Sequence, residues 1–243
     1  MRIKMYGSTN VGRVRKENQD AIYFDEIMNF GVVADGIGGR AGGKEASAIA
    51  VRGLRRAVVE SEMIRHDQAD SFLVNALDAV NSEIIKVGRE DVSKTGMGTT
   101  VNAVMFFADK AHIVHVGDSR TYLYDRGHLF QLTIDHNVKT LLRRGQIEQS
   151  DVLPRVSKDA LVRALGLSEQ FDPDIYTLQV RTGQILLTCS DGLYSMVEDR
   201  KILHLLNKHA HKPNELPKHL IDAANQGGGR DNITVLLSIV RAG

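Results

Sequence analysis

The sequence predicts an α+β fold in which β-sheets pack on one another and helices lie outside them. Three observations carry this prediction. Short apolar, β-branched runs that read as strands follow one another closely, and helical patterns come in blocks, so regular βαβ alternation is excluded. Aspartates close several of the apolar runs, and these runs come from both ends of the chain and from its middle. If those aspartates share one site, residues 1–243 form a single domain.

Taken in order, strands are predicted over 2–7, 20–24 and 29–34. Over 44–59, Ala46, Ala50, Leu54, Ala57 and Val58 recur at helical spacing, and over 67–87 Phe72, Leu73, Ala76, Leu77, Val80, Ile84 and Ile85 do so more clearly. Closely spaced strands follow over 99–107, 110–116, 120–124 and 128–132, the last two joined by the turn chemistry of Asp125-Arg126-Gly127. A helix is predicted over 137–144. Residues 145–170 have mixed polarity and weak periodicity, which predicts a mobile surface segment. Strands return over 174–180 and 184–189, helices over 199–208 and 214–224, and a final strand over 232–240.

Composition excludes several classes. At 243 residues, 42% hydrophobic and 25% charged, the chain is ordinary globular material with no low-complexity tract or repeat. Its 31 Lys and Arg balance 30 Asp and Glu, so neither nucleic acid nor an anionic membrane is an expected partner. The single cysteine, Cys189, lies in an apolar strand pattern and reads as a small buried hydrophobe. No stretch has the length of a membrane-spanning helix, and residues 1–7 lack the apolar core of a secretory signal, so a cytoplasmic monomer is expected.

The chemistry is concentrated in Asp35, Asp118, Asp191 and Asp231. Each lies at or beside the end of an apolar run, at the rim of a core, on rigid backbone yet within reach of solvent. Carboxylates gathered at one rim repel one another unless a cation neutralises them, and all-oxygen ligands select Mg²⁺ or Mn²⁺. A competing phosphate-loop reading comes from Gly38-Gly39-Arg40-Ala41-Gly42-Gly43-Lys44, which fits G-x-x-x-x-G-K. It fails at Glu45, where such a loop needs a hydroxyl, and Asp35 just upstream puts negative charge where phosphates would arrive. A dinucleotide fingerprint over Gly36–Ala41 lacks its βαβ context.

Six segments in order, Arg15-Lys16-Glu17-Asn18-Gln19-Asp20, Asp35-Gly36-Ile37-Gly38-Gly39, Thr95-Gly96-Met97-Gly98-Thr99-Thr100, Gly117-Asp118-Ser119-Arg120, Ser190-Asp191-Gly192-Leu193 and Gly229-Arg230-Asp231-Asn232-Ile233-Thr234, resemble the motif series of the PPM family. These are the metal-dependent type-2C protein Ser/Thr phosphatases, and the resemblance is to short bacterial members. It implies a β-sandwich of two antiparallel sheets flanked by helix pairs on both outer faces, with metals in a cleft at one edge. By the same resemblance Asp35 bridges two core Mn²⁺ or Mg²⁺ ions, joined by the Gly36 carbonyl, Asp191 and Asp231. Asp118 and Asp191 hold a weaker third ion, Asp20 reaches the core ions through water, Arg15 grips the substrate phosphate, and 145–170 is a flap beside the cleft.

Such residues suit hydrolysis of phosphoserine and phosphothreonine by a water activated between two metal ions, without a covalent nucleophile. The forked guanidinium of Arg15 suits phosphate oxygens, although the run Arg13-Val14-Arg15-Lys16 also reads as a solvated basic stretch. The expected partners are phosphorylated proteins, including a Ser/Thr protein kinase or its substrates. A partner-switching regulator on the same fold and a non-catalytic interaction module are alternatives; the retained charged groups argue against the second. One departure stands out: some relatives carry a histidine in the Asp-Gly-x-Gly-Gly turn as general acid, and here that position is Ile37. His136 is a hypothetical substitute, against a plainer role at a helix start. His112 and His115, three apart on a strand, should face opposite sides and serve packing.

Overall fold

The computed structural model describes the chain apart from Gly38 and residues 62–65, and apart from the side chains of 39–41 and 66. Among the described residues, eleven strands form two antiparallel sheets. One sheet orders β1 (Arg2–Asn10), β11 (Ile233–Arg241), β10 (Ile185–Cys189), β7 (Arg120–Asp125) and β8 (His128–Gln131). The other orders β2 (Asp20–Asp25), β3 (Phe30–Ile37), β5 (Val101–Phe107), β6 (Lys110–Val116) and β9 (Asp174–Gln179), with the two-residue β4 (Gly98–Thr99) on the end of β3. The predicted β-sandwich is therefore observed.

Period-two alternation explains why the sheets stack as they do. On β3, Phe30, Val32 and Ala34 face outward into one helix-covered core, while Val33 faces the other sheet. On β10, Ile185, Leu187 and Cys189 face a second helix-covered core and Leu186 faces inward. The inner layer is completed by Ile3, Met5, Val104, Phe106, Ile113, Leu236 and Val240. Both faces of the central strands are thus buried, which is why the strands read as continuous apolar runs.

Helices α1 (Gly39–Glu60) and α2 (Ala69–Glu90) cover the sheet containing β3. Their stripes meet it through Leu54, Leu73, Leu77 and Ile84, each fully buried and worth about 1.5–3 kcal/mol of transfer free energy. The opposite sheet is covered by α5 (Asp199–His209) and α6 (Leu216–Gln226), whose Ile202, Leu206, Leu220 and Ala224 are fully buried. Pro217 sits in the first turn of α6, where a missing N–H costs nothing. The short α3 (Val138–Arg143) is capped by Asn137, whose side chain accepts from the Thr140 N–H at 3.0 Å.

Two differences from the sequence reading have clear causes. The glycine run that mimics a phosphate loop is helical from Gly39 onward, and Lys44 pairs with Glu17 at 2.7 Å, so no phosphate cradle forms there; Gly38 lies outside the described residues. The four-residue α4 (Asp191–Tyr194) is shorter than two turns and carries no period to detect. Residues 145–170 are irregular, as predicted, apart from one 3₁₀ turn at Gln149–Asp151. Their second half is nevertheless bonded down: Val138 and Lys139 N–H groups donate to Ala160 and Lys158, and Thr99 and Leu165 exchange backbone bonds.

Candidate active site

At one edge of the sandwich the strand ends open into a cleft of about 670 Å³. Asp35 and Gly36 reach it from β3, Asp118 from the turn after β6, Asp191 from the start of α4 and Asp231 from the turn before β11. Arg15 reaches it from the loop between β1 and β2. Six of the seven residues singled out in the sequence therefore line one wall. The seventh, Asp20, stands behind it, opposite Asp35 in strand register, its Oδ2 accepting from Ser190 Oγ at 2.8 Å and Thr234 Oγ1 at 2.6 Å.

Bonds to the main chain fix the positions of Asp35 and Asp118. The Asp35 N–H donates to Thr100 Oγ1 at 3.0 Å, and its carbonyl accepts from Thr99 Oγ1 and the Thr100 N–H, both at 2.9 Å. The Gly36 backbone passes so close to α1 that a Cβ there would lie 2.0 Å from the Gly43 carbonyl oxygen. Only glycine fits. Gly117 takes φ +105 against the Thr100 side chain, which turns the chain sharply at the end of β6 and aims Asp118 at the cleft. Tyr194 on α4 donates to the Asp118 carbonyl at 2.8 Å, tying the Asp118 turn to the helix that begins with Asp191.

The electrostatics are strained. Burial, then the charges of Asp20, Asp191 and Asp118, hold the Asp35 carboxyl well above the usual carboxylate range. Asp191 is pushed up to about 8 by burial and by Asp118 and Asp231. Burial raises Asp20 and Asp118 to about 6 each. Asp20 Oδ1 and Asp191 Oδ1 are buried with no hydrogen-bond donor among the described residues. Buried carboxylate oxygens without donors, facing one another, are what a divalent cation would satisfy, so the residues present fit Mg²⁺ or Mn²⁺. Among the described residues no three His, Cys, Asp or Glu side chains form a ready-made metal cage. Arg15 bonds Asp231 Oδ2 at 2.6 Å with about half its side chain exposed, so it is not simply a solvated residue.

His136 does not face the cleft. Its Nδ1 accepts from the Gly117 N–H at 3.1 Å, and its Nε2 lies 3.2 Å from Asp174 Oδ2. Both nitrogens are engaged and burial holds its pKa below the ordinary value, so it braces the Asp118 turn instead of donating protons to the cleft. The helix start belongs to Asn137. As expected, His112 and His115 face opposite ways, towards Asp70 on α2 and towards the Ile134 carbonyl. Sequence reasoning missed Asp159 and Leu161, which line the cleft from the 145–170 segment. They sit in no motif, and only the tertiary bonds to residues 138 and 139 bring them there.

A helix-flanked double sheet with an acidic cleft at one edge defines a class, and the model of the protein phosphatase 2C family matches residues 12–220. The chain belongs to that family. Among particular relatives, the serine/threonine phosphatase stp of Listeria monocytogenes serotype 4b (strain F2365) is 37% identical over 234 residues, 94% of this chain and 92% of that one. Protein phosphatase PhpP of Streptococcus pneumoniae serotype 2 (strain D39 / NCTC 7466) is 31% identical over 235 residues, 94% of each chain. The crystal structure of the Mycobacterium tuberculosis serine/threonine phosphatase PstP/Ppp is similar with a TM-score of 0.87, 31% identity and full coverage of both chains. The catalytic domain of PstP in complex with 2 manganese ions is similar with a TM-score of 0.86 and 30% identity over 99% of both chains.

Proposed function

We propose that this chain removes phosphate from phosphoserine and phosphothreonine on proteins, with Mn²⁺ or Mg²⁺ as cofactor, and so opposes Ser/Thr protein kinases. The observation that carries the proposal is the convergence of Asp35, Asp118, Asp191 and Asp231 with Arg15 on one open cleft. Family membership supports it, as do the serine/threonine phosphatase names of the relatives and the two manganese ions of the PstP complex. On this reading residues 1–243 act as one domain and as a cytoplasmic monomer, with 145–170 as the flap.

Asp35, the Gly36 carbonyl, Asp191 and Asp231 would hold two core ions, Asp118 with Asp191 a weaker third, and Asp20 would reach the core pair through water. Bound there, divalent ions would neutralise the carboxylates and would supply a water whose pKa lies near neutrality. The chain's own work is positioning. Arg15 presents its fork to the phosphate oxygens and offsets charge that grows in the transition state. The fixed backbones of Asp35 and Asp118 keep the acidic wall from rearranging during the reaction. Ile37 lines the cleft and, among the described residues, no histidine does, so protonation of the leaving Ser or Thr oxygen would fall to water, to another side chain, or be dispensed with for a good leaving group.

Hydrolysis of a phosphothreonine peptide, measured with Mn²⁺, with Mg²⁺ and with EDTA, tests the proposal. Phosphate release that needs metal and vanishes in Asp35→Asn is expected. A folded, metal-binding protein that releases none would overturn it in favour of an interaction module.

A further inference from the structure

Asn232 follows Asp231 directly and lines the same cleft, and its side chain bonds into the base of the loop that carries Arg15. It is 3% exposed and makes three hydrogen bonds. Its Oδ1 accepts from the Gln19 N–H at 2.8 Å, and its Nδ2 donates to the carbonyls of Val11 and Glu17, each at 3.0 Å. Two of these partners can only accept and one can only donate, so the amide has one possible orientation and all three bonds need it. Val11 and Gln19 are the two ends of the loop between β1 and β2, and Glu17 lies inside it. One planar amide thus closes a nine-residue loop across its neck.

The neighbouring contacts make the loop and the acidic wall a single unit. The Arg13 and Val14 N–H groups donate to the Gly229 carbonyl at 2.7 and 3.3 Å, from the turn that also carries Asp231. Gly12 lies against the Asp231 carbonyl so closely that a Cβ would come within 2.2 Å. Residues 11–19 form no helix or strand of their own and are held from outside, by Asn232, by the Gly229 carbonyl, by Lys44 on α1 against Glu17, and by the Ser47 hydroxyl and the Gly36 N–H on the Gln19 carbonyl. Their shape depends on these tertiary bonds, and Asn232 makes three of them.

We infer that Asn232 is a positioning residue for substrate phosphate: it acts through Arg15, by holding the loop that aims the guanidinium over the cleft. The inference rests on the proposed phosphatase reading for its substrate and on the geometry alone for the clamp. Serine, with one short hydroxyl, cannot span the neck, and Asp lacks the two donors. Asparagine is the side chain with two donors, one acceptor and the right length.

The test combines activity with amide hydrogen exchange on the metal-loaded protein. Asn232→Ala should raise KM for a phosphothreonine peptide by about tenfold to a hundredfold, with kcat changed by less than about threefold. Binding of Mn²⁺, followed by electron paramagnetic resonance, should be unchanged. In an Arg15→Ala background the same substitution should raise KM by less than about twofold, because the residue it positions is gone. Exchange at the Gln19 amide should be slow in the unsubstituted protein and fast in Asn232→Ala. An equal rise in KM with and without Arg15, or loss of Mn²⁺ binding, would overturn the role. So would fast exchange of Gln19 in the unsubstituted protein, which needs no variant that might misfold. Absence of hydrolysis by the unsubstituted protein, with a slow Gln19 amide, would instead overturn the phosphatase reading and leave the clamp standing.

Discussion

The two ends of the layer between the sheets are built from opposite materials. Away from the cleft, the inward positions of β1, β5, β6 and β11 are Ile3, Met5, Phe106, Ala111, Ile113 and Val240. Towards the cleft the inward positions turn polar. On β5 and just before it the inward series runs Phe106, Val104, Asn102, Thr100, and on β10 and just after it Leu186, Thr188, Ser190. These polar residues are buried and bonded to one another: Thr121 Oγ1 donates to Asn102 at 3.0 Å, Thr121 meets Thr188 at 3.0 Å, and Thr100 meets Ser119 at 2.7 Å. One end is held by non-directional burial and tolerates small shifts; the other is held by directed bonds that fix the backbone under Asp20, Asp35 and Asp118. The lesson is that this sandwich stores its stability at one end and its geometry at the other.

The largest break of that comparison is at the acidic wall. On the proposed reading, which makes Asp191 a metal ligand, Asp191→Asn should lower turnover of a phosphothreonine peptide by at least about 10³-fold. The same substitution should stabilise the protein in EDTA at pH 7, on the order of 1–3 kcal/mol in urea unfolding, because folding no longer has to protonate a buried carboxyl that ionises in the unfolded chain. Destabilisation in EDTA would contradict the strain described here. At the apolar end the pattern reverses. Leu186→Ala should cost about 2–5 kcal/mol of stability, and specific activity per folded molecule should stay within about twofold.

A pH dependence sharpens the boundary between the two ends. His115 is buried at the inner face of β6, and burial, then the nearby His136, hold its pKa down to about 4. Unfolded, it titrates near 6.5, so between those values the unfolded chain binds the extra proton. Its contribution is intact above about 6.5 and is lost as pH falls towards 4, by up to about 3 kcal/mol for this one group. The raised carboxylates act in the opposite sense, so the measurement is the difference between the protein and His115→Gln at pH 7.5 and 4.5. Equal pH slopes for both would refute the assignment. The smallest effect should come from Thr188→Val, about 1 kcal/mol, with a measurable fall in kcat because Thr121 loses a partner.

How much of this was legible depends on whether a feature is local. The strands, the two long helices and the acidic turns show in the sequence because period-two and period-3.6 patterns are set by neighbours a few residues away. Asp35, Gly36, Asp118, Asp191 and Asp231 were legible for the same reason, each sitting where an apolar run meets a turn. Asp159 and the clamp at Asn232 were not. Asp159 reaches the cleft through bonds between 158–162 and 136–139, and Asn232 meets residues more than 200 positions away in the chain, with |i−j| of 213 to Gln19. His136 was legible as a residue of interest but not in its role, because nothing in Thr133-Ile134-Asp135-His136-Asn137 says which way the ring turns.

Cys189 ends β10 two residues before Asp191, fully buried, with burial driving its thiol far above the ordinary range. It is the single sulfhydryl in the chain. Peroxide and disulfide exchange act on accessible thiolates, and this one is neither accessible nor ionised. A phosphatase whose one thiol is sealed in a core offers thiol oxidants no accessible sulfhydryl. Thiol-modifying reagents should therefore leave its rate unchanged as long as it stays folded.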